Sequence, residues 1–172
     1  NEYYLMVVLF IGAMMGLVFS TNLIFMYIFW EIAAICCWRL IGFYRDKDTV
    51  LRADKAFLVT VGGALMMLVG FIGIYIQGGS FDLLELQGRG LDNWIMVLVL
   101  FGILSKSATL PLHTWLPDAG VAPSPVTSLL HAAVLVKIGV YVYARLFLVN
   151  FYLDASWELV VPIIAAVSAL VA

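Results

Sequence analysis

Apolar residues come in long blocks along this chain, and polar residues gather in the short intervals between them. A helix that spans a bilayer needs about 20 mostly apolar residues. Blocks at about 3–20, 22–43, 56–77, 94–118 and 124–148 meet that length wholly or partly. A sixth starts near Trp157 and is cut off at residue 172. Ser20-Thr21-Asn22 forms a tight polar turn between the first two. The period-two alternation of a strand is absent, and lipid tolerates only helices and closed barrels. The pattern predicts an all-α integral membrane protein, a multi-span helical bundle in one transmembrane domain.

Composition agrees. The chain is 65% hydrophobic and 12% charged, whereas soluble domains hold about 25% charged residues. The formal net charge of −2 comes without a basic patch, and no nucleic-acid partner is expected. Cys36 and Cys37 are adjacent in an apolar run, show no CxxC spacing and read as small packing residues. The chain begins without methionine and stops inside LVVPIIAAVSALVA, with no signal-peptide pattern. A piece of a longer membrane protein is the expectation.

Charge also suggests an orientation. FYRDKDTVLRADK, between the second and third blocks, carries Arg45, Lys47, Arg52 and Lys55, with Arg39 just before it. The interval after the third block offers only Arg89 against Asp82, Glu85 and Asp92. The positive-inside rule puts the 44–55 loop in the cytoplasm and the 78–93 loop outside. In the third block, Gly62, Gly63, Gly70 and Gly73 let neighbouring helices approach closely.

Three ionisable residues lie deep in apolar blocks: Glu31, Lys106 and Lys137. Each costs about 2.5–3.5 kcal/mol at a helix centre, on the order of 8–10 kcal/mol together. Leucine would fill the same space at less cost. A static ion pair of Glu31 with one lysine is the bland alternative, and it leaves the second lysine unexplained. A hydrated, charge-bearing path at the bilayer midplane accounts for all three. Lysine suits such a path because burial makes it release a proton readily, whereas arginine stays charged. Glu31 is then the modulator and Lys106 the switched carrier.

Pro111 breaks the fourth block near residue 110 and frees backbone carbonyls one turn back. Such carbonyls are tolerated at membrane depth only where protein or cavity water meets them, and broken helices recur in transporters. Ser105, Ser107 and Thr109 flank Lys106 with hydroxyls able to anchor water, and His113 follows. His131 precedes Lys137 by six residues, about 9 Å along a helix, which suits a water-bridged relay. Asp118 reads as a solvated helix cap. No metal-ligand spacing, nucleophile elbow or phosphate loop is present, so no cofactor is expected.

LSKSATLPLHTWLPDAGVAPSPVTSLLHAAVLVKIGVYVYAR, with NLIFMYIFWEIAAICCWRLIGFY upstream, closely resembles the signature of the proton-conducting, antiporter-like membrane subunits. That family includes the large membrane subunits of respiratory complex I, Mrp-type Na+/H+ antiporters and membrane-bound energy-converting hydrogenases. The resemblance covers the chain from about residue 20. It implies a fold of two inverted five-helix repeats, of which this chain would supply most of the first. The second repeat and the first three helices of the family fold would lie outside this chain. It implies Glu31 as the glutamate of the fifth helix, Lys106 as the lysine of the broken seventh, and His131 and Lys137 as eighth-helix positions passing protons inward.

The chain departs from the pattern at Trp38-Arg39, at Thr109 where glutamine is common, and at Ala119-Gly120-Val121-Ala122-Pro123. These departures favour a hydrogenase or another relative over complex I itself. The resemblance implies an ion-translocating subunit of a redox-driven oxidoreductase complex, without a redox centre of its own. An Mrp-type Na+/H+ antiporter subunit is the alternative, and a structural scaffold the third choice. Expected partners are other membrane subunits, the lipid bilayer and protons, with Na+ left open. The expected location is an energy-converting bacterial or archaeal cell membrane, crossed many times.

Overall fold

The computed structural model describes residues 2–130 and 135–171. Three helices, α1 (Glu2–Phe19), α2 (Leu23–Ile41) and α3 (Lys47–Gly78), are long and apolar enough to cross a membrane. They are followed by α4 (Asn93–Lys106), a four-residue turn α5 (Trp115–Asp118), α6 (Ser124–Ser128), α7 (Leu135–Tyr143) and α8 (Ala155–Val171). A π-helical stretch, Ala144–Asn150, extends α7. The result is a helical membrane fold.

Local chemistry sets the ends of these helices. Asn22 starts α2 by accepting from the Ile24 N–H at 2.9 Å, satisfying a donor the first turn leaves free. Asp46 does the same for α3, accepting from Thr49 N at 3.2 Å and Thr49 Oγ1 at 2.8 Å. Those hydrogen bonds hold its carboxyl below the usual carboxylate range. Gly79, with φ of 75°, ends α3 in the left-handed conformation that costs glycine nothing. The charged stretch expected as a loop over 44–55 is therefore helical from Lys47 onward. The Asp46 cap and the Asp48–Arg52 pair at 3.0 Å, one turn apart, favour that early start.

Two ends of the bundle can be distinguished. Where α3 gives way to α4, main chain is laced to main chain: Leu23 N to Phe81 O at 2.9 Å, Leu83 N to Thr21 O at 2.8 Å and Gly88 N to Asn150 O at 2.7 Å. Short strands β1 (Arg89–Gly90) and β2 (Phe151–Tyr152) pair in parallel there. Where α2 gives way to α3, side chains make the ties. Glu2 bridges Arg39 at 2.5 Å and Arg45 at 2.8 Å, and the Trp38 indole donates to Asp54 at 2.8 Å. The unusual pair Trp38-Arg39 thus has local partners at this end.

The α3–α4 seam sets the position of the site. A Cβ at Gly63 would lie 2.1 Å from Ser105 Oγ, one at Gly70 2.6 Å from Val99 Cγ2, and one at Gly73 2.6 Å from the Trp94 ring. Gly102 does the same from α4, where a Cβ would meet Met67 at 2.5 Å. Gly62, expected among the packing glycines, faces open space, because it sits one step round the helix from Gly63. The core around the seam is apolar: Met67, Phe71, Ile95, Val99 and Trp30 are all buried.

Candidate functional site

Lys106 is the last residue of α4 and is only 1% exposed. Its Nζ donates to the Trp30 carbonyl of α2 at 3.4 Å and lies 5.4 Å from the centre of the Trp30 ring. Ala34 and Cys37 of α2, Thr60 of α3, Trp115 and Leu135 line a void of about 10 Å³ against it. That is close to the least volume that takes one water molecule. Neither Glu31 nor Lys106 is in an ion pair among the described residues; the pairs formed involve Glu2, Asp48 and Asp118.

The end of α4 is closed by protein. Ser107 caps it, Ala108 takes a left-handed conformation with φ of 50°, and Thr109 N reaches back to Leu104 O at 3.1 Å. This is the six-to-one bond of a Schellman end, with alanine where glycine is usual. Ile103 O accepts from Ser107 N at 2.9 Å, and Ser105 O accepts from the Trp115 indole at 2.8 Å. The break thus begins at Ser107, ahead of the cis Leu110–Pro111 bond. Of the three hydroxyls expected to anchor water, Ser105 donates to Gly102 O at 2.8 Å and Thr109 to Leu104 O at 3.3 Å. Only the Ser107 hydroxyl lacks a partner.

Glycine again makes the room. A Cβ at Gly139 of α7 would fall 2.0 Å from Ser107 Oγ, as one at Gly63 of α3 would on Ser105. The residues on either side of Lys106 are therefore seated against glycines of two different helices. Past the break, Lys55 of α3 holds the returning chain, donating to Thr114 O at 3.2 Å and to Asp118 at 2.5 Å. Asp118, read from sequence as a solvated cap, is instead the acid partner of Lys55. Ser168 of α8 accepts from Leu110 N at 3.1 Å and so reaches the same break.

Four buried side-chain polar atoms have no hydrogen-bond partner among the described residues: Trp30 Nε1, Glu31 Oε1, Ser107 Oγ and His113 Nδ1. Two sit on α2 beside the Lys106 contact, and two follow α4 within seven residues of that lysine. Each costs about 1–3 kcal/mol if left unmet. Lys137 lies on the exposed side of α7, and His131 lies outside the described residues. Cys36 and Cys37 are buried free thiols, the second lining the void beside Lys106. Sequence reading missed Trp30 and Trp115. An aromatic in a spanning segment reads as an interface anchor, and only the adjacency in FWE and TWLPD hinted otherwise.

A family profile described as "NADH:quinone oxidoreductase/Mrp antiporter, TM" matches residues 20–172. A Na(+)/H(+) antiporter protein of Staphylococcus saprophyticus is 43% identical over 154 residues, covering 85% of this chain and 19% of that protein. Its counterpart in Bacillus subtilis, also a Na(+)/H(+) antiporter component, is 39% identical over 172 residues, covering 95% and 21%. An NAD(P)H-quinone oxidoreductase chain 5 from Picosynechococcus is 39% identical over 159 residues, covering 85% and 24%. Among solved structures, the Mrp complex from Dietzia matches with a TM-score of 0.76 at 32% identity, over 84% of this chain and 17% of that one. The chain thus spans about a fifth of the length of the curated relatives it matches.

Proposed function

Because the chain belongs to the NADH:quinone oxidoreductase/Mrp antiporter membrane family, we propose that it is part of a subunit that translocates protons, or exchanges cations for them, along a midplane path through Glu31, Lys106, His131 and Lys137. The observation that carries this reading is the state of Lys106. A lysine buried to 1% exposure at the end of a broken helix has no acid partner among the described residues, only a carbonyl and an aromatic face. A structural lysine would be paired or would reach water, since an unpaired buried charge is strongly unfavourable. The unpartnered atoms of Trp30, Glu31, Ser107 and His113 around it are groups that water would satisfy. A proton carrier needs this environment, in which neither the charged nor the neutral form is locked.

Several named relatives are Na(+)/H(+) antiporter subunits, and the solved neighbour is an Mrp complex. We therefore set cation/proton exchange beside the redox-driven reading that the motif first suggested. In either assembly the partners are further membrane subunits of a multisubunit complex. The chain is read as one transmembrane domain, with the α2–α3 end in the cytoplasm because Arg39, Arg45, Lys47, Arg52 and Lys55 gather there. Cysteines introduced at Asp48 and Ser80 report that orientation in intact cells, against a background in which the native thiols are buried. Preferential labelling at position 48 by an impermeant reagent would reverse it.

Transport itself is tested with Lys106→Ala in the full-length protein within its complex, reconstituted in vesicles. The expected outcome is loss of most proton movement with the complex still assembled. Normal movement in that variant removes Lys106 from the path.

A further inference from the structure

Lys106 is held by the residue next to the glutamate, and that contact has a chemistry of its own. Trp30 is 1% exposed, and its ring centre lies 5.4 Å from Lys106 Nζ. Its carbonyl, 3.4 Å away, takes the same amine. Among the described residues its indole N–H has no partner, and no hydrogen bond from them to that group fixes the ring where it lies. The face of an indole is electron-rich: it attracts an ammonium and gives a neutral amine far less. In a desolvated site that preference is at its largest, because no water competes for the charge.

We propose that Trp30 is a positioning residue for proton transfer at Lys106. It is a second seat that holds the protonated amine when the amine is not paired with Glu31. This rests on the reading of Lys106 as a proton carrier and deepens it. Glu31 and Trp30 are consecutive on α2 and project about 100° apart, so passing from one to the other swings Nζ across the face of that helix. The charge then has two alternative resting places on one helix, and a shift of α2 relative to α4 changes which is occupied. The titratable side chains near enough to act on Lys106 are Glu31 and the buried thiols Cys36 and Cys37, all on α2. Among the described residues, α3 and α7 add none. The Trp30 carbonyl and ring are therefore what this side of the pocket offers the ammonium while Glu31 is turned away, and the ring is the part a side-chain substitution can change.

The test uses the full-length protein in its complex, with proton movement in vesicles followed as a function of pH. Trp30→Leu removes the ring, and Trp30→Phe keeps a weaker one. Fluorinated tryptophans placed at position 30 keep the shape and the N–H while draining the face of charge. The alkaline limb of the pH profile is expected to move down by about one pH unit in Trp30→Leu. A smaller movement is expected in Trp30→Phe, and a stepwise one with each added fluorine. A purely structural tryptophan would show no dependence on fluorine number. An unchanged profile across the fluorinated series overturns the seat, whatever the assembly of the leucine variant. Lys106→Ala, run alongside, separates the two levels. If it transports normally the carrier reading fails, and if it is inactive while the fluorinated proteins match wild type, only the seat fails.

Discussion

The two sides of Lys106 differ in how completely they are bonded. On the α4 side the backbone is finished: the carbonyls of Ile103, Leu104 and Ser105 all have donors, and Ser105 and Ser107 are seated against Gly63 and Gly139. On the α2 side, Trp30 Nε1 and Glu31 Oε1 have no partners among the described residues, and the amine rests on a carbonyl and a ring. The lysine is thus mounted on a fixed base and faces a wall that leaves its end free. A carrier requires that division, because a base that drifted would lose the geometry and a wall that closed would trap the charge.

Breaking the base has the largest expected effect on stability. Gly63→Val places atoms where Ser105 Oγ and the Phe101 carbonyl already lie, and overpacking of this kind costs about 1–3 kcal/mol or more. Denaturation in detergent micelles reads the loss. Gly62→Ala, one residue earlier and facing open space, is the contrast. It is expected to be neutral or to gain up to about 1 kcal/mol from helix propensity. Equal effects at the two positions would show that the seam is not where the fold puts it.

Next comes Trp115→Phe, which keeps the ring but strips the donor from the buried Ser105 carbonyl. Leaving that oxygen unmet costs about 1–3 kcal/mol. Slower amide exchange in wild type than in the variant over residues 104–109 would locate the loss at the break.

The opposite wall should respond in reverse. Glu31→Gln removes the buried charge from a carboxylate whose Oε1 has no partner among the described residues, so stability is expected to hold or rise slightly while proton movement falls steeply. In transport, Glu31→Ala and Lys106→Ala are each expected to abolish most activity, with the double variant little worse, since groups acting jointly are not additive. Strictly additive losses would make the pair structural.

The smallest effect lies away from both walls, at the cap of α3. Hydrogen bonds from Thr49 hold the Asp46 carboxyl below its ordinary range in the folded state. Its contribution is therefore complete above the unfolded value of about 4 and fades as pH falls through the lowered folded value. Asp46→Ala should lower thermal stability near neutral pH, and the difference from wild type should shrink in acid.

Much of this was legible in the residues. The helical membrane fold followed from block length alone, because lipid leaves so few alternatives. The family followed from the signature around Lys106. What stayed hidden depended on registers that a sequence does not display. Gly62 and Gly63 look alike in the chain, and only the rotation of α3 decides which one meets Ser105. The break seemed to belong to Pro111, yet α4 ends at Lys106 through the left-handed Ala108, a conformation no glycine advertised. Charged residues over 47–55 suggested a loop and form the first turns of α3, since a cap and an ion pair outweigh polarity. The partner of Lys55 could not be read at all, because Asp118 lies 63 positions away.

The shortness of α4 has a consequence for how the protein is made. Fourteen residues rise about 21 Å, against a hydrocarbon layer about 30 Å thick. Such a segment falls short of spanning lipid alone, with a lysine at its end and polar chain beyond it. During biosynthesis it is expected to pair early with α3, whose glycines receive it and whose Lys55 secures the chain that follows. The α3–α4 hairpin is thus the expected unit of insertion, checked by whether a chain ending after α4 integrates α4 into microsomes only when α3 is present.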